Sequence, residues 1–445
     1  MATKQTTAPP ATGPSYVGPF IIITSLFFLF GFITNLNMAL VPHLRNVFTL
    51  GFGWAMLVES AFFLAYFVFS SPSAKLIEAI GYKKTIVVSL FVQVVGALLF
   101  VPAAKLVSFP LFLTAIFIVG AGVTALQTAA NPYVSILGPE RTAPFRLTLA
   151  QAFNSLGGTI APLVAGAYIL KDLGTHAPPV VVAGTVRGPY LAIAGGLLIL
   201  GIAMAFIHLP AIGLMTSEYR PAAEGGPAVG QSIWKYRHTV LGAIGIFLYV
   251  GVEVGLASIG VNYFLQQGVS VAAASSFFGG WGSFGTWIIR VFSLRDAAGI
   301  ASALVSLYWF GALVGRLLGS WVLTRVKAGG LLGGFGIAGA LMLGVSMMSS
   351  GAAAIGSLVL CGFLNSIMFP NIFALGIAGL GPLTSKGSGL IMTAVVGGAI
   401  IPPLIGVLAD HFGIQHAFFL PMFCYLYIAF YGLVGHKQRK FPASA

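Results

Sequence analysis

Charge is what this chain has least of. Only nine of its 445 residues are Asp or Glu, and charged side chains of every kind make up 7%. A soluble globular domain carries about 25%, so a water-facing fold is excluded. Cysteine is nearly absent as well. Cys361 and Cys424 both fall inside apolar runs, which leaves no disulfide framework and reads as two small buried hydrophobes. The histidines are scattered, and the one near pair, His411 and His416, has an i, i+5 spacing that does not face one ligand. No H-E-x-x-H, C-x-x-C or G-x-S-x-G is found. Gly334-Phe-Gly336-Ile-Ala-Gly339 has the G-x-G-x-x-G spacing, but no strand precedes it and it reads as close helix packing. No catalytic, metal or cofactor constellation is visible, and none is expected.

What is abundant is apolar surface: 58% of residues are hydrophobic and the mean hydropathy is +0.98. A bilayer core takes roughly 20 apolar residues per helix. Twelve such spans can be marked, beginning near Phe20, Trp54, Thr85, Phe109, Thr148 and Tyr190, then Thr239, Ser302, Leu331, Ser357, Gly389 and Ala417. The expected fold is an all-α membrane protein. The segment before Phe20 has no small-residue cleavage site and reads as a short disordered tail leading into a retained first helix. The net charge of +13 is unevenly placed. Lys75, Lys83, Lys84, Arg141, Arg146, Arg220, Lys235, Arg237, Arg325, Lys327, Lys386 and the basic C-terminal tail fall on one side. The other side has Arg45, Lys105, Lys171, Arg187, Arg290 and Arg295. This asymmetry predicts cytoplasmic termini. The charge is topological, and no nucleic-acid role is read from it.

A Pro/Gly-rich polar gap at 210–238 separates six spans from six, giving bundles at 1–209 and 239–445. The second long connector, 266–301, is rich in glycine and aromatics and is expected to lie along the outer interface. The halves are related. GGTIAPLVAG from Gly157 matches GGAIIPPLIG from Gly397, and FLFG from Phe28 echoes FLYVG from Phe247. A repeat of six spans keeps its orientation, so the halves should be related by an axis along the membrane normal. That architecture suits alternating access by one monomeric chain.

Polar groups at membrane depth need a reason, because lipid tails cannot hydrogen-bond them. Gln127 and Asn131 share one helix face at i, i+4; Gln151 and Asn154 share another at i, i+3. Asn35, Asn37, Asn365 and Asn371 extend this set of amides. Interhelical hydrogen bonding competes with ligand binding for any one of them. As a set they suggest a wet chamber between the halves that binds a neutral, hydroxyl-rich solute. Glu253 in the seventh span reads as a substrate ligand, a proton-coupling group or a buried structural partner. Glu59 in the second span is a proton-coupling or gate candidate, against a carboxyl held protonated beside a neighbouring helix. Arg316, toward one end of the eighth span, reads as a structural lock on helix ends. Tyr308 and Trp309 are divided between belt anchoring and stacking on a sugar face.

Several runs carry a family resemblance: Thr34 to Leu44 (TNLN with VPHL), QTAANPYVSILGPE from Gln127, RLTLAQAFNSLG from Arg146, FLYVGVEV from Phe247, YWFGALVGRLLGS from Tyr308 and NSIMFPNIFALGI from Asn365. Together they resemble the major facilitator superfamily, and within it the fucose–galactose–hexuronate proton-symporter family, glucose/galactose branch. The superfamily's loop signature between spans two and three survives in part, with Leu76, Glu78, Gly81 and Lys83 in place. The resemblance gives Glu78 and Lys83, with Arg316, structural or gating roles. It implies two pseudo-symmetric six-helix halves and monosaccharide uptake across the inner membrane, coupled to protons or sodium. On the convergence of neutral hydrogen-bonding groups, the sugar ligands would be Asn37, Gln127, Asn131, Gln151, Asn154, Glu253, Trp309 and Asn365.

Two departures bear on coupling. The family reads L-N-D where this chain has Leu36-Asn37-Met38, and fucose-type members have a glutamate at Gln127. Glu59 stands where relatives more often have glutamine. Three readings follow: an uncoupled facilitator, a coupling carboxylate moved to Glu59 or Glu253, or a different solute such as an amino sugar. A multidrug exporter would need a broadly apolar, aromatic cavity, and a sensing receptor a soluble output domain.

Overall fold

The computed structural model describes residues 17–38, 40–50, 57–169, 178–207, 232–269, 283 and 297–438. They form helices α1 Val17–Met38, α2 Leu40–Phe48, α3 Leu57–Lys105, α4 Phe109–Ile136, α5 Ala143–Tyr168, α6 Pro179–Gly184 and α7 Arg187–Phe206 in the first half. The second half has α8 Arg237–Gln266, α9 Ala297–Val322, α10 Ala328–Met348, α11 Gly351–Asn365, α12 Met368–Ile377, α13 Thr384–Thr393, α14 Gly397–Phe412, α15 Ile414–Ala417 and α16 Phe419–Phe430. No strand occurs among the described residues. Most of the linker at 210–238 and of the connector at 266–301 lies outside them.

Among the described residues, ten segments are long and apolar enough to cross a bilayer. One of them, α3, has 49 residues, far more than a bilayer needs at 1.5 Å per residue. It is two spans joined at Gly81, whose φ of 82° and ψ of 167° break the helix. Only glycine takes that conformation without strain. With α5 as the remaining crossing, the twelve expected spans are accounted for. Their ends extend several residues into the flanking polar sequence, as where α5 starts at Ala143 and not near Thr148.

The repeat seen in the sequence is a repeat of contacts. In the first half α1 packs along α5, and in the second α8 packs along α14. At the first contact a Cβ on Gly157 would stand 2.1 Å from the Phe28 carbonyl oxygen; at the second, a Cβ on Gly397 would stand 1.9 Å from that of Phe247. The matched glycines therefore touch the matched phenylalanine backbones. No side chain fits either place. Elsewhere α3 packs on α4 and α7, α9 on α11, and α10 on α11 and α16. Gly336 and Gly339 press against Ala429 and Tyr425 as helix packing requires, while Gly334 faces open space.

Basic side chains close helix ends. The Arg146 guanidinium, at the start of α5, wraps the last carbonyls of α4. It donates to Val134 O at 3.0 Å and Pro139 O at 3.1 Å, and also to Ser135 O. Lys83 donates to Ala205 O at 2.9 Å, at the end of α7. Carbonyls at a helix C-terminus have no partner in their own helix and carry partial negative charge, so a cation suits them.

The halves meet through α9 against α5, α12 against α5, and α13 against α3 and α4. Leu64, Phe67, Ile199, Leu341 and Leu404 are among the large apolar side chains left exposed on the outer faces, as a lipid solvent permits.

Gly157→Ala and Gly397→Ala should each lower the melting temperature in detergent, because overpacking of a tight contact costs about 1–3 kcal/mol. Gly188→Ala, where nothing lies within 4 Å, should not.

Candidate functional site

Two prolines set up the site. A proline inside a helix has no N–H for the carbonyl four residues back, and that carbonyl must find another donor. Pro132 lies inside α4, which frees the Thr128 carbonyl. Pro370, in the first turn of α12, frees that of Ser366, at the break between α11 and α12. Both carbonyls are taken by side chains. Ser388 Oγ, from α13 in the opposite half, donates to Thr128 O at 2.8 Å. Arg316 Nε, from α9, donates to Ser366 O at 3.1 Å.

Arg316 then reaches across the molecule. Its Nη1 donates to Ser155 Oγ and, at 3.4 Å, to Gln151 O, both on α5 of the first half. Its Nη2 pairs with Glu253 Oε1 at 3.4 Å, with side-chain exposures of 8% and 14% for Arg316 and Glu253. A guanidinium held this far from water is tolerable only with its donors used and an anion beside it. Arg316 thus joins two carbonyls, a hydroxyl and a carboxylate from three other helical segments.

The amides continue this layer on both sides. In the first half Gln151 Nε2 approaches Asn131 Oδ1 at 3.5 Å, Asn131 Nδ2 approaches Met392 Sδ of α13 at 3.6 Å, and Gln127 Nε2 donates to the Tyr66 hydroxyl. In the second, Asn365 Nδ2 donates to Tyr308 OH at 2.6 Å and Asn365 Oδ1 accepts from Tyr425 OH at 2.7 Å. Tyr308 OH in turn donates to Glu253 O at 3.2 Å. The Tyr249 hydroxyl donates to Asn365 O at 3.2 Å. Gln127, Asn131, Gln151, Glu253, Arg316 and Asn365 thus belong to neighbouring parts of one layer between the halves.

Other expected site residues lie apart. Asn37 accepts from Tyr190 OH at 2.6 Å within the first half, and the Tyr190 ring stacks on Phe100 at 3.7 Å between centroids. Asn154 is half-buried at the α1–α5 contact, where its backbone faces Gly31. Asn35 and Asn371 bond carbonyls of their own helical segments, those of Gly31 and Ile367. Tyr308, not Trp309, enters the polar layer; Trp309 packs partly buried against the apolar core. Glu59 is half-buried in the first described turn of α3. The side chain of Met38 is outside the described set.

The amides do not line an open chamber at this level. Asn131 and Asn365 are fully buried, and Gln127 and Gln151 nearly so. Gln151 meets Asn131, Asn131 meets Met392 of the other half, and Gln127 and Asn365 bond tyrosines of their own halves. Nearer the surface, Glu78 accepts from Ser385 Oγ at 3.0 Å and lies 4.0 Å from Lys386 Nζ. Toward α1, Gln127 borders a crevice with Leu26, Phe27, Phe30, Leu126 and Ala130.

Sequence reasoning missed Tyr66, Tyr249 and Tyr425, whose rings pass for core, and Ser155 and Ser388, which are too common in helices to stand out. Pro132 and Pro370 were the available signal, since each marks a carbonyl needing a donor.

The fold is two matched helical bundles with a polar layer between them, and the profile of the Major Facilitator Superfamily matches residues 22–395. The chain belongs to the major facilitator superfamily. Within that superfamily it is 44% identical over 416 residues to a glucose/galactose transporter of Brucella abortus, covering 94% of this chain and 93% of the relative. It is 30% identical over 434 residues to the L-fucose-proton symporter of Escherichia coli, covering 93% and 92%. The crystal structure of a superfamily transporter, FucP, in the outward conformation superposes with a TM-score of 0.78 at 30% identity, covering 94% of this chain and 99% of that one.

Removing one member of the Glu253–Arg316 pair strands the other, a loss of about 3–5 kcal/mol for a buried pair. Thermal unfolding in detergent should show Glu253→Leu and Arg316→Leu each strongly destabilised, with the double variant losing less than the two together.

Proposed function

We propose that the chain is a carrier of a neutral hexose of the glucose/galactose class, working by alternating access. One observation carries this reading: Gln127, Asn131 and Gln151, neutral groups able both to donate and to accept, are gathered where the two halves meet. Sugar hydroxyls also donate and accept, so amides match them without the desolvation cost of a fixed charge. Likeness to the Brucella glucose/galactose transporter at 44% identity supports the choice of sugar. Asn365, linked through Tyr308 to Glu253, belongs to the same layer from the second half.

The chain divides into bundles 1–209 and 239–445 joined by a linker at 210–238, and it acts as a monomer. It spans the inner membrane with both termini in the cytoplasm, on the argument of its Lys and Arg distribution. The end closed by Glu78, Ser385 and Lys386 is then the cytoplasmic one. The arrangement corresponds to an outward-facing state, in keeping with the likeness to a solved transporter in the outward conformation.

Proton coupling is assigned to Glu59. Glu253 is engaged by Arg316, whereas Glu59 has no ion-pair or hydrogen-bond partner among the described residues. A carboxyl without a fixed cation is the group best able to exchange a proton as its surroundings change. Met38 and Gln127, with no titrating group, favour a second reading, an uncoupled facilitator.

In proteoliposomes, Gln127→Ala and Gln151→Ala should each lower labelled hexose uptake at least about tenfold, as expected where two or more hydrogen bonds are lost; uptake equal to the parent removes the site. An inward acid gradient should drive accumulation by the parent, and Glu59→Gln should abolish that response while keeping sugar counterflow. A parent indifferent to the gradient is a facilitator.

A further inference from the structure

The two carbonyls freed by proline have an arrangement that helix packing alone does not require. Thr128 O and Ser366 O occupy corresponding places in the fourth and tenth spans, and each is engaged by a residue that ties the halves together. At the first, the donor is Ser388 from the opposite half. At the second, the donor is Arg316, which extends through Ser155 to the opposite half. Ser155 is set up to receive it: its own Oγ–H donates back to Gln151 O at 3.3 Å, leaving its lone pairs to face the guanidinium.

We propose that Ser388 and Ser155 are positioning residues for transport, the two hydroxyls that latch the Glu78 end shut. This rests on the alternating-access reading. When that end opens, α13 must leave α4 and α9 must leave α5. The Thr128–Ser388 bond and the bonds from Arg316 to α5 break. Those from Arg316 to Ser366 and Glu253 lie within one half and persist. Neither open form leaves a dry orphan. Water reaches the Thr128 carbonyl and Arg316 Nη1 once the halves part, and Ser388 can turn its hydroxyl to a carbonyl of its own helix. The latch therefore holds without making opening prohibitive. A hydrogen bond between side chain and backbone contributes only modestly after exchange with water, which is the scale needed for two states that interconvert.

The layer also places the latch beside the amides. Arg316 shares the Gln151 residue with the proposed sugar contacts: its backbone carbonyl accepts from Nη1 while its side chain points to Asn131. A ligand that moves Gln151 changes the Arg316 bonding on the same turn of α5. Ser388 is likewise one turn from Met392, which touches Asn131.

The test reads geometry and not uptake. Lys84 and Val326 are exposed at this end on opposite halves and take no part in the latch. Spin labels on Lys84→Cys and Val326→Cys report the separation of the halves by pulsed electron resonance in sugar-free nanodiscs. Cys361 and Cys424 are buried and stay in place. Ser388→Ala and Ser155→Ala should each raise the ratio of the long-distance to the short-distance population about fivefold, as loss of one hydrogen bond predicts. The double variant should raise it further. Ser388→Thr and Ser155→Thr, which keep a hydroxyl, should restore the parent distribution; general loosening of the fold would not be rescued in this way. Alanine variants with the parent's distribution overturn the latch, as does failure of both threonine variants to restore it. The carrier reading is tested separately by adding glucose, galactose or fucose to the parent. A parent distribution unmoved by all three counts against that reading, whatever the serine variants do.

Discussion

Everything in this molecule answers to one constraint: a peptide group within lipid has no water to bond. Helices meet it by satisfying their own carbonyls, and twelve crossings do so here. Where Pro132 and Pro370 interrupt that pattern, the chain supplies Ser388 and Arg316 in place of the missing N–H groups. The interruption thereby becomes a point of attachment. A backbone acceptor whose partner is a side chain on a movable element can be made and unmade, unlike one inside a continuous helix. The site between the halves grows out of these two breaks, not out of the apolar packing around them.

The scarcity of charge has a related effect. With nine acidic residues in the whole chain, a pair such as Glu253 and Arg316 cannot be incidental. Burying it is costly, and its value to stability against an apolar pair of the same volume is doubtful. Its geometry explains its presence better: one guanidinium serves acceptors on three other helical segments, a task for which a lysine has the wrong shape. Glu78 with Ser385 and Lys386 does a lesser version of the same job nearer the surface, where water weakens any ion pair.

Much of the fold was legible in the residues themselves. Apolar length gave the spans, and GGTIAPLVAG with GGAIIPPLIG gave the pairing of the halves, down to the glycines that meet Phe28 and Phe247. The site was legible only in part. Helical spacing grouped Gln127 with Asn131 and Gln151 with Asn154, but periodicity says which face a residue shares and nothing about which neighbour that face meets. Asn37 looked equivalent to the others, yet its Oδ1 is taken by Tyr190 within the first half. Tyr66, Tyr249 and Tyr425 gave no signal in the sequence, because a phenol shows its polar character only when a partner is near. The expected open chamber is replaced at this level by a closed polar layer, a difference of conformational state that composition cannot carry.

The glycine contacts also expose where the two halves have diverged. Phe28 and Gly157 mark the first contact, Phe247 and Gly397 the second, and the second pair is about twenty residues further apart along the chain. The surplus corresponds to the long connector of the second half, at 266–301. Lengthening a loop costs little, because closure entropy rises only slowly with length, whereas a glycine touching a backbone admits no substitute. If the halves descend from one duplicated ancestor, inheritance has preserved the weld and allowed the loops to drift, so future divergence in this lineage should accumulate between spans and spare those four positions.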